Sequence, residues 1–318
     1  MGVFMSLYES SEMAIISSFD EFIKRGIYIP SNVDLENTKA VRLYRDYIGT
    51  VNSIKPKEYL SKDFDVVDRK DVINISYEAI RRIFGKDLLD EFREFMSTVR
   101  LNDGKTILDG VSLRLVNRYN ENDIIRITEV SSIDLSCSAF SIVHEFIHYY
   151  ISKYNISIER KKYYEEILSI YGEIIAAKLC EEYFGNSIEK KCDETRLEGI
   201  NWHYFVHPAE IDEVRKQLRL HPEFKEVVFQ SVPWLKNNSE FLKEENYRKQ
   251  LADSYGMGYL YARYLSLLAS GDSDKVNGKV SDVLSGELGL QDMLNYFGIN
   301  TKNRTMYDEV NKHIRTLK

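Results

Sequence analysis

Apolar residues recur along most of the chain at the three- and four-residue spacing of amphipathic helices, in stretches rich in Glu, Lys, Leu, Ile, Tyr and Arg. The spacing predicts helices over about 5–24, 35–49, 76–98, 136–154, 160–185, 208–219, 239–270, 285–297 and 305–316. Between 110 and 131 the period changes to two. Val111-Ser-Leu-Arg-Leu-Val and Ile124-Ile-Arg-Ile-Thr-Glu-Val alternate apolar and polar residues around a polar connection at 117–123. These segments predict a small antiparallel hairpin, which needs a helix or further strands over one face to be stable. The expected fold class is therefore mainly α with a small antiparallel β hairpin or sheet. The segment around Asn102-Asp-Gly-Lys is the natural seam, giving a helical N-terminal portion over 1–100 and a main domain over 101–318 that pack together.

Composition narrows the picture by exclusion. A hydrophobic fraction of 43% and a charged fraction of 29% are those of a globular protein. A net charge of -7 argues against a nucleic-acid partner, and the basic cluster at 160–162 is too short to change that. No segment approaches the roughly 20 apolar residues that span a bilayer, so no membrane partner is expected. Cys137, Cys180 and Cys192 are too few and too irregular for a disulfide framework and contain no C-x-x-C pair, which suits reduced thiols in the cytoplasm.

The chemistry is concentrated in Ala139-Phe-Ser-Ile-Val-His-Glu-Phe-Ile-His-Tyr-Tyr-Ile. His144-Glu145-Phe146-Ile147-His148 is an H-E-x-x-H motif in a helical context. On a helix, His144 and His148 lie one turn apart on one face and can share a tetrahedral ion, with Glu145 beside them. Zinc lowers the pKa of its water to about 7, and a neighbouring carboxylate then takes the proton as the water attacks a carbonyl carbon. The expected cofactor is one Zn2+ per chain, although cobalt and manganese accept the same ligands.

A catalytic zinc needs a third protein ligand and an open position. Glu166 and Glu173, seven apart on the next helix, share a face, whereas Glu165 is turned about 100° from Glu166. Glu166 follows His148 by eighteen positions, enough for the first helix to end and a second to return antiparallel. The spacing therefore assigns Glu166 as ligand. Glu173, about 10 Å further along, is expected to orient a histidine or cap a polar network, with Glu173 as the ligand standing as the alternative. His203 and His207 are also four apart, but Pro208 and the lack of a nearby acid argue against a second pair. His221 and His313 are expected to be exposed structural residues.

The stretch 134–148, with the E-x-x-S-x-x-x-E of Glu166, Ser169 and Glu173, resembles the active-site region of the oligoendopeptidase F and thimet oligopeptidase family of zinc peptidases, which are gluzincins. Tyr255-Gly-Met-Gly-Tyr-Leu-Tyr-Ala-Arg-Tyr, Leu268-Ala-Ser-Gly-Asp-Ser and Leu290-Gln-Asp-Met-Leu-Asn-Tyr-Phe-Gly-Ile-Asn are similar to that family's tyrosine-rich helix, Gly/Ser turn and closing segment, so the resemblance runs from about 100 to 318. It implies a gluzincin-type zinc peptidase catalytic domain around a deep cleft, a peptide substrate pairing beside the upstream strand, and an oxyanion donor at Tyr255 or Tyr259. With 22 tyrosines in the chain, a packing role for those two stands as the alternative.

The chain also departs from the family. Ile147 stands where the family has Gly, the connection from His148 to Glu166 is shorter, no counterpart of a further His occurs near 244–250, and the N-terminal half is reduced to a lid-like portion. The expected activity is a zinc metalloendopeptidase of the oligopeptidase type with Glu145 as general base. The alternatives are a catalytically inactive peptide-binding metalloprotein and a zinc hydrolase of non-peptide amides. The oligomeric state is left open.

Overall fold

A computed structural model of the chain describes residues 38–53, 69–86, 88–102, 128–131, 135–154, 162–185, 187–201 and 245–317. The described residues are mainly helical. In chain order the elements are α1 (Thr38–Asn52), α2 (Arg69–Phe84), α3 (Leu89–Thr98), β1 (Val99–Asn102), β2 (Thr128–Ser131), α4 (Leu135–Lys153), α5 (Lys162–Phe184), α6 (Ile188–Asn201), α7 (Glu245–Ala269), α8 (Ser273–Leu284), α9 (Leu290–Tyr296) and α10 (Arg304–Thr316).

At the centre lies α5, with α4, α6, α7 and α2 packed around it. Packed against four other helices, α5 buries most of its middle, including Ile167, Leu168, Ile170, Tyr171, Ile174, Ala176 and Leu179, and leaves its last turn partly exposed. The crossing with α4 is close because of Gly172: a Cβ there would lie 2.5 Å from Ile147 Cδ1 and 2.9 Å from Val143 Cγ1. Gly258 of α7 does the same on the other side, where a Cβ would stand 2.8 Å from Glu166 Cβ. Helices α2 and α3 join the same hydrophobic core, with the rings of Phe92 and Phe95 5.0 and 5.6 Å from that of Phe146 on α4. The last helix, α10, packs against α1 and α7.

Three expectations need correction. The helix expected over 76–98 is two helices: Gly85, at φ +72, ends α2 in the left-handed conformation that closes helices, and α3 starts afresh at Leu89. The antiparallel hairpin is not found among the described residues. Its first arm, 111–116, lies outside them, and β2, at the end of the second arm, runs parallel to β1 in the register Val99↔Thr128 to Asn102↔Ser131. Alternation of period two identifies a strand but says nothing of its partner, and a parallel pair needs a long crossover where a hairpin needs a tight turn. Finally, α6 and α8 occupy stretches for which no helix is expected. The helices expected at 5–24 and 208–219, together with His203, His207 and His221, lie outside the described residues.

Candidate metal centre

One helix presents the first pair of donors. Nineteen residues long, α4 buries Ala139, Ile142, Val143, Phe146 and Ile147, and this packing fixes its roll about its own axis. His144 and His148, one turn apart, then project together. Their Nε2 atoms lie 3.0 Å from each other. From α5, Glu166 meets both, with Oε2 3.7 Å from His144 Nε2 and Oε1 3.7 Å from His148 Nε2. Among the described residues, these three are the only His, Cys, Asp or Glu side chains grouped closely enough to hold a metal ion, their donor atoms all lying within 4.8 Å of one another. Donors at the zinc bond lengths of 2.0–2.1 Å on a tetrahedron stand about 3.3 Å apart. The two imidazoles stand at 3.0 Å, each imidazole stands 3.7 Å from one of the two oxygens of Glu166, and two imidazoles with one carboxylate are a donor set that zinc accepts, so the residues fit the ion.

Behind the donors stands Glu173, two turns along α5 from Glu166. Its Oε1 lies 2.9 Å from His144 Nδ1. A proton carried on Nδ1, facing that carboxylate, would leave Nε2 with its lone pair toward His148 and Glu166. The other side of Glu173 is held by Arg196 of α6, whose Nε donates to Oε2 at 3.1 Å and whose Nη2 donates to Oε1. The spacing of residues along the chain offers no sign of Arg196, because it sits in a segment with no readable helical pattern.

Glu145 lies beside the donors, with Oε1 3.8 Å from His144 Nε2 and the side chain 12% exposed. Burial drives its carboxyl pKa up from the ordinary 4.5 to about 7; His144 pulls it down while Glu166 and Glu173 add to the rise. The two histidines diverge. Burial opposes the charged ring of His144, but Glu173, with Glu166 and Glu145 behind it, outweighs burial and leaves the pKa above its ordinary value. Burial, then the neighbouring His144 and Arg196, push His148 well below its ordinary value, so its ring is neutral and able to donate a lone pair.

The two candidate tyrosines of α7, Tyr255 and Tyr259, separate clearly. The charge of Glu166, and then burial, raises the phenol of Tyr255, with Glu145 and Glu173 adding to it. Tyr255 therefore stands in the field of the acidic cluster, and its ring lies 5.6 Å from the Arg196 guanidinium carbon. The hydroxyl of Tyr259 donates instead to Asp193 Oδ1 at 2.9 Å, within a buried network where Arg263 also donates to Asp193 and to Glu189 Oε1, the latter at 2.6 Å. His313, expected to be exposed, belongs to that network as well, with Nε2 2.7 Å from Asp193 Oδ2 and a side chain only 21% exposed.

Comparison with known protein families, with curated proteins and with solved structures finds no match. Among the described residues, no helix is long and apolar enough to cross a membrane, and Cys180 and Cys192 are buried free thiols.

Proposed function

We propose that the chain is a zinc-dependent peptidase that hydrolyses internal bonds of oligopeptides. The observation that carries this reading is the meeting of His144 Nε2, His148 Nε2 and Glu166 at one point, with the Glu145 carboxylate alongside. Three protein donors leave a fourth position open, as a catalytic zinc site requires. When bound, zinc supplies a Lewis acid that polarises the scissile carbonyl and makes water a competent nucleophile near neutral pH.

The chain's own residues supply the rest. Glu145 takes the proton of the attacking water and returns it to the departing amine, a role that its position beside the three donors suits. Glu173 keeps the Nδ1 proton of His144 in place. Tyr255, whose raised pKa keeps its phenol protonated, is the donor to the developing oxyanion. Tyr259 is committed to Asp193 and serves the fold. The strand β2 leads into the metal-binding helix, and an extended peptide laid beside it reaches the donors with main-chain contacts and little sequence preference. Buried free thiols and an acidic net charge accord with work in the cytoplasm on peptides.

Mass spectrometry of a mixed peptide pool, incubated with the wild type or with Glu145→Gln and with the zinc content of each recorded, tests the proposal. Internal cleavage by the wild type alone, with zinc in both, is the expected result. Zinc in both and cleavage by neither removes the catalytic claim, and peptides then recovered uncleaved on the protein identify a binder.

A further inference from the structure

Arg196 occupies an expensive position. Its side chain is 21% exposed, and burying a guanidinium is costly unless its donors are matched. The match is Glu173, itself 5% exposed, which accepts from Nε on one oxygen and from Nη2 on the other. A planar guanidinium that engages both oxygens sets the plane of the carboxylate as well as its distance. That plane decides where Oε1 points, and Oε1 is the atom 2.9 Å from His144 Nδ1. The rotation of the His144 ring, and with it the direction of Nε2 toward His148 and Glu166, is thereby fixed from α6.

The helix that carries Arg196 is itself pinned. Glu189, Asp193 and Arg196 follow one another at spacings of four and three and so line one face of α6. Glu189 and Asp193 accept from Arg263, while Asp193 also holds Tyr259 and His313. Arg196 therefore reaches the centre from a helix anchored one turn away through Arg263, Tyr259 and His313.

We infer that Arg196 is a positioning residue of the metal centre, locking Glu173, and through it His144, in the orientation that receives zinc. This rests on reading the His144, His148 and Glu166 cluster as a zinc site. Lysine cannot substitute in full, because an ammonium is a point charge that does not define the carboxylate plane.

The experiment is zinc affinity, measured by competition with a chromogenic chelator on the full chain. The proteins compared are the wild type, Arg196→Met, Arg196→Lys, Glu173→Gln and the double variant Arg196→Met/Glu173→Gln, each checked for folding by circular dichroism. Partners that orient metal ligands are typically worth about 10- to 100-fold in affinity, and each of Arg196→Met and Glu173→Gln is expected to lose that much. The double variant is expected to be no weaker than Glu173→Gln, because the arginine acts through the glutamate. Arg196→Lys is expected to recover part of the loss.

Wild-type affinity in Arg196→Met, or losses that multiply in the double variant, overturns the proposal while leaving the zinc site standing. If Arg196→Met does not fold, Arg196→Lys decides: weaker zinc binding in a cooperatively folded protein supports the role, and wild-type affinity overturns it. A wild type that holds no zinc removes the site and this role together.

Discussion

Glu145 lies beside the cluster of His144, His148 and Glu166, where a carboxylate is costly to keep. Its native pKa of about 7, against 4.5 for an ordinary glutamate, means that the folded, metal-free protein binds more protons here than the unfolded chain between those two values. Stability then falls as pH rises across that window, by about 1.4 kcal/mol for each pH unit crossed, or about 3 kcal/mol in all. Glu145→Gln removes the ionisation. Denaturant melts of the zinc-free proteins are expected to find the variant more stable than wild type at pH 8, with the difference vanishing near pH 4. An equal difference at both pH values would show that the carboxylate is not strained by its burial. In the proposed peptidase the same substitution is expected to abolish cleavage while stabilising the metal-free fold.

At the scale of elements, the site depends on how closely three helices approach. Ile147 and Gly172 exchange bulk across the α4–α5 crossing: the isoleucine fills the space that the glycine opens. On the far side of α5, Gly258 lets α7 settle against the Cβ of Glu166. Gly258→Ala sets a methyl 2.8 Å from that atom, so either α7 backs away or Glu166 turns from the histidines. The expected outcome is a loss of about 1–3 kcal/mol of stability together with weaker zinc binding. Gly278→Ala on α8, with nothing within 4 Å of the added methyl, is the matched control and is expected to be neutral or stabilising. Unchanged zinc affinity in Gly258→Ala would mean that the approach of α7 does not set the position of Glu166.

These same elements show what the sequence made legible. The H-E-x-x-H spacing and two glutamates seven apart locate α4, α5 and the placement of Glu166 and Glu173, because those constraints are local to a helix. Helix α6 is hidden because its inner face carries Asp193 and Glu194 beside Ile188, Cys192, Leu197 and Ile200, and buried charge erases the apolar period. Helix α8 is hidden because its β-branched valines, with Asn277 and Gly278, speak against a helix that Val276, Val280, Val283 and Leu284 nevertheless bury as one stripe. Arg196 and the parallel partner of β2 depend on contacts between distant parts of the chain, which no local pattern encodes.

Across the whole molecule, Asp193 is the point where α6, α7 and α10 meet, through Tyr259, Arg263 and His313. Burial works to raise its pKa, but Arg263 and the hydrogen bond from His313 outweigh burial and hold it below the ordinary 3.8. A depressed carboxyl contributes stability that is full above its unfolded pKa and is lost as pH falls through the folded one. Asp193→Asn leaves Arg263 short of its main counter-charge and is expected to cost about 3–5 kcal/mol at pH 7. The gap to wild type is expected to begin narrowing as pH falls below 4 and the wild-type carboxylate starts to take up its proton, and urea titrations across that range read it directly. A gap that persists unchanged to pH 3 would assign the loss to packing instead of charge.

The order of these residues along the chain has a consequence for biosynthesis. A nascent chain made as far as residue 200 already carries His144, Glu145, His148, Glu166, Glu173 and Arg196, yet none of the groups on α7 and α10 that pin α6. His313 follows Glu173 by about 140 residues, on the order of ten seconds of translation. The ribosome therefore makes the residues of the candidate metal centre well before the side chains of α7 and α10 that pin α6, and a half-made chain carries the donors without those anchors.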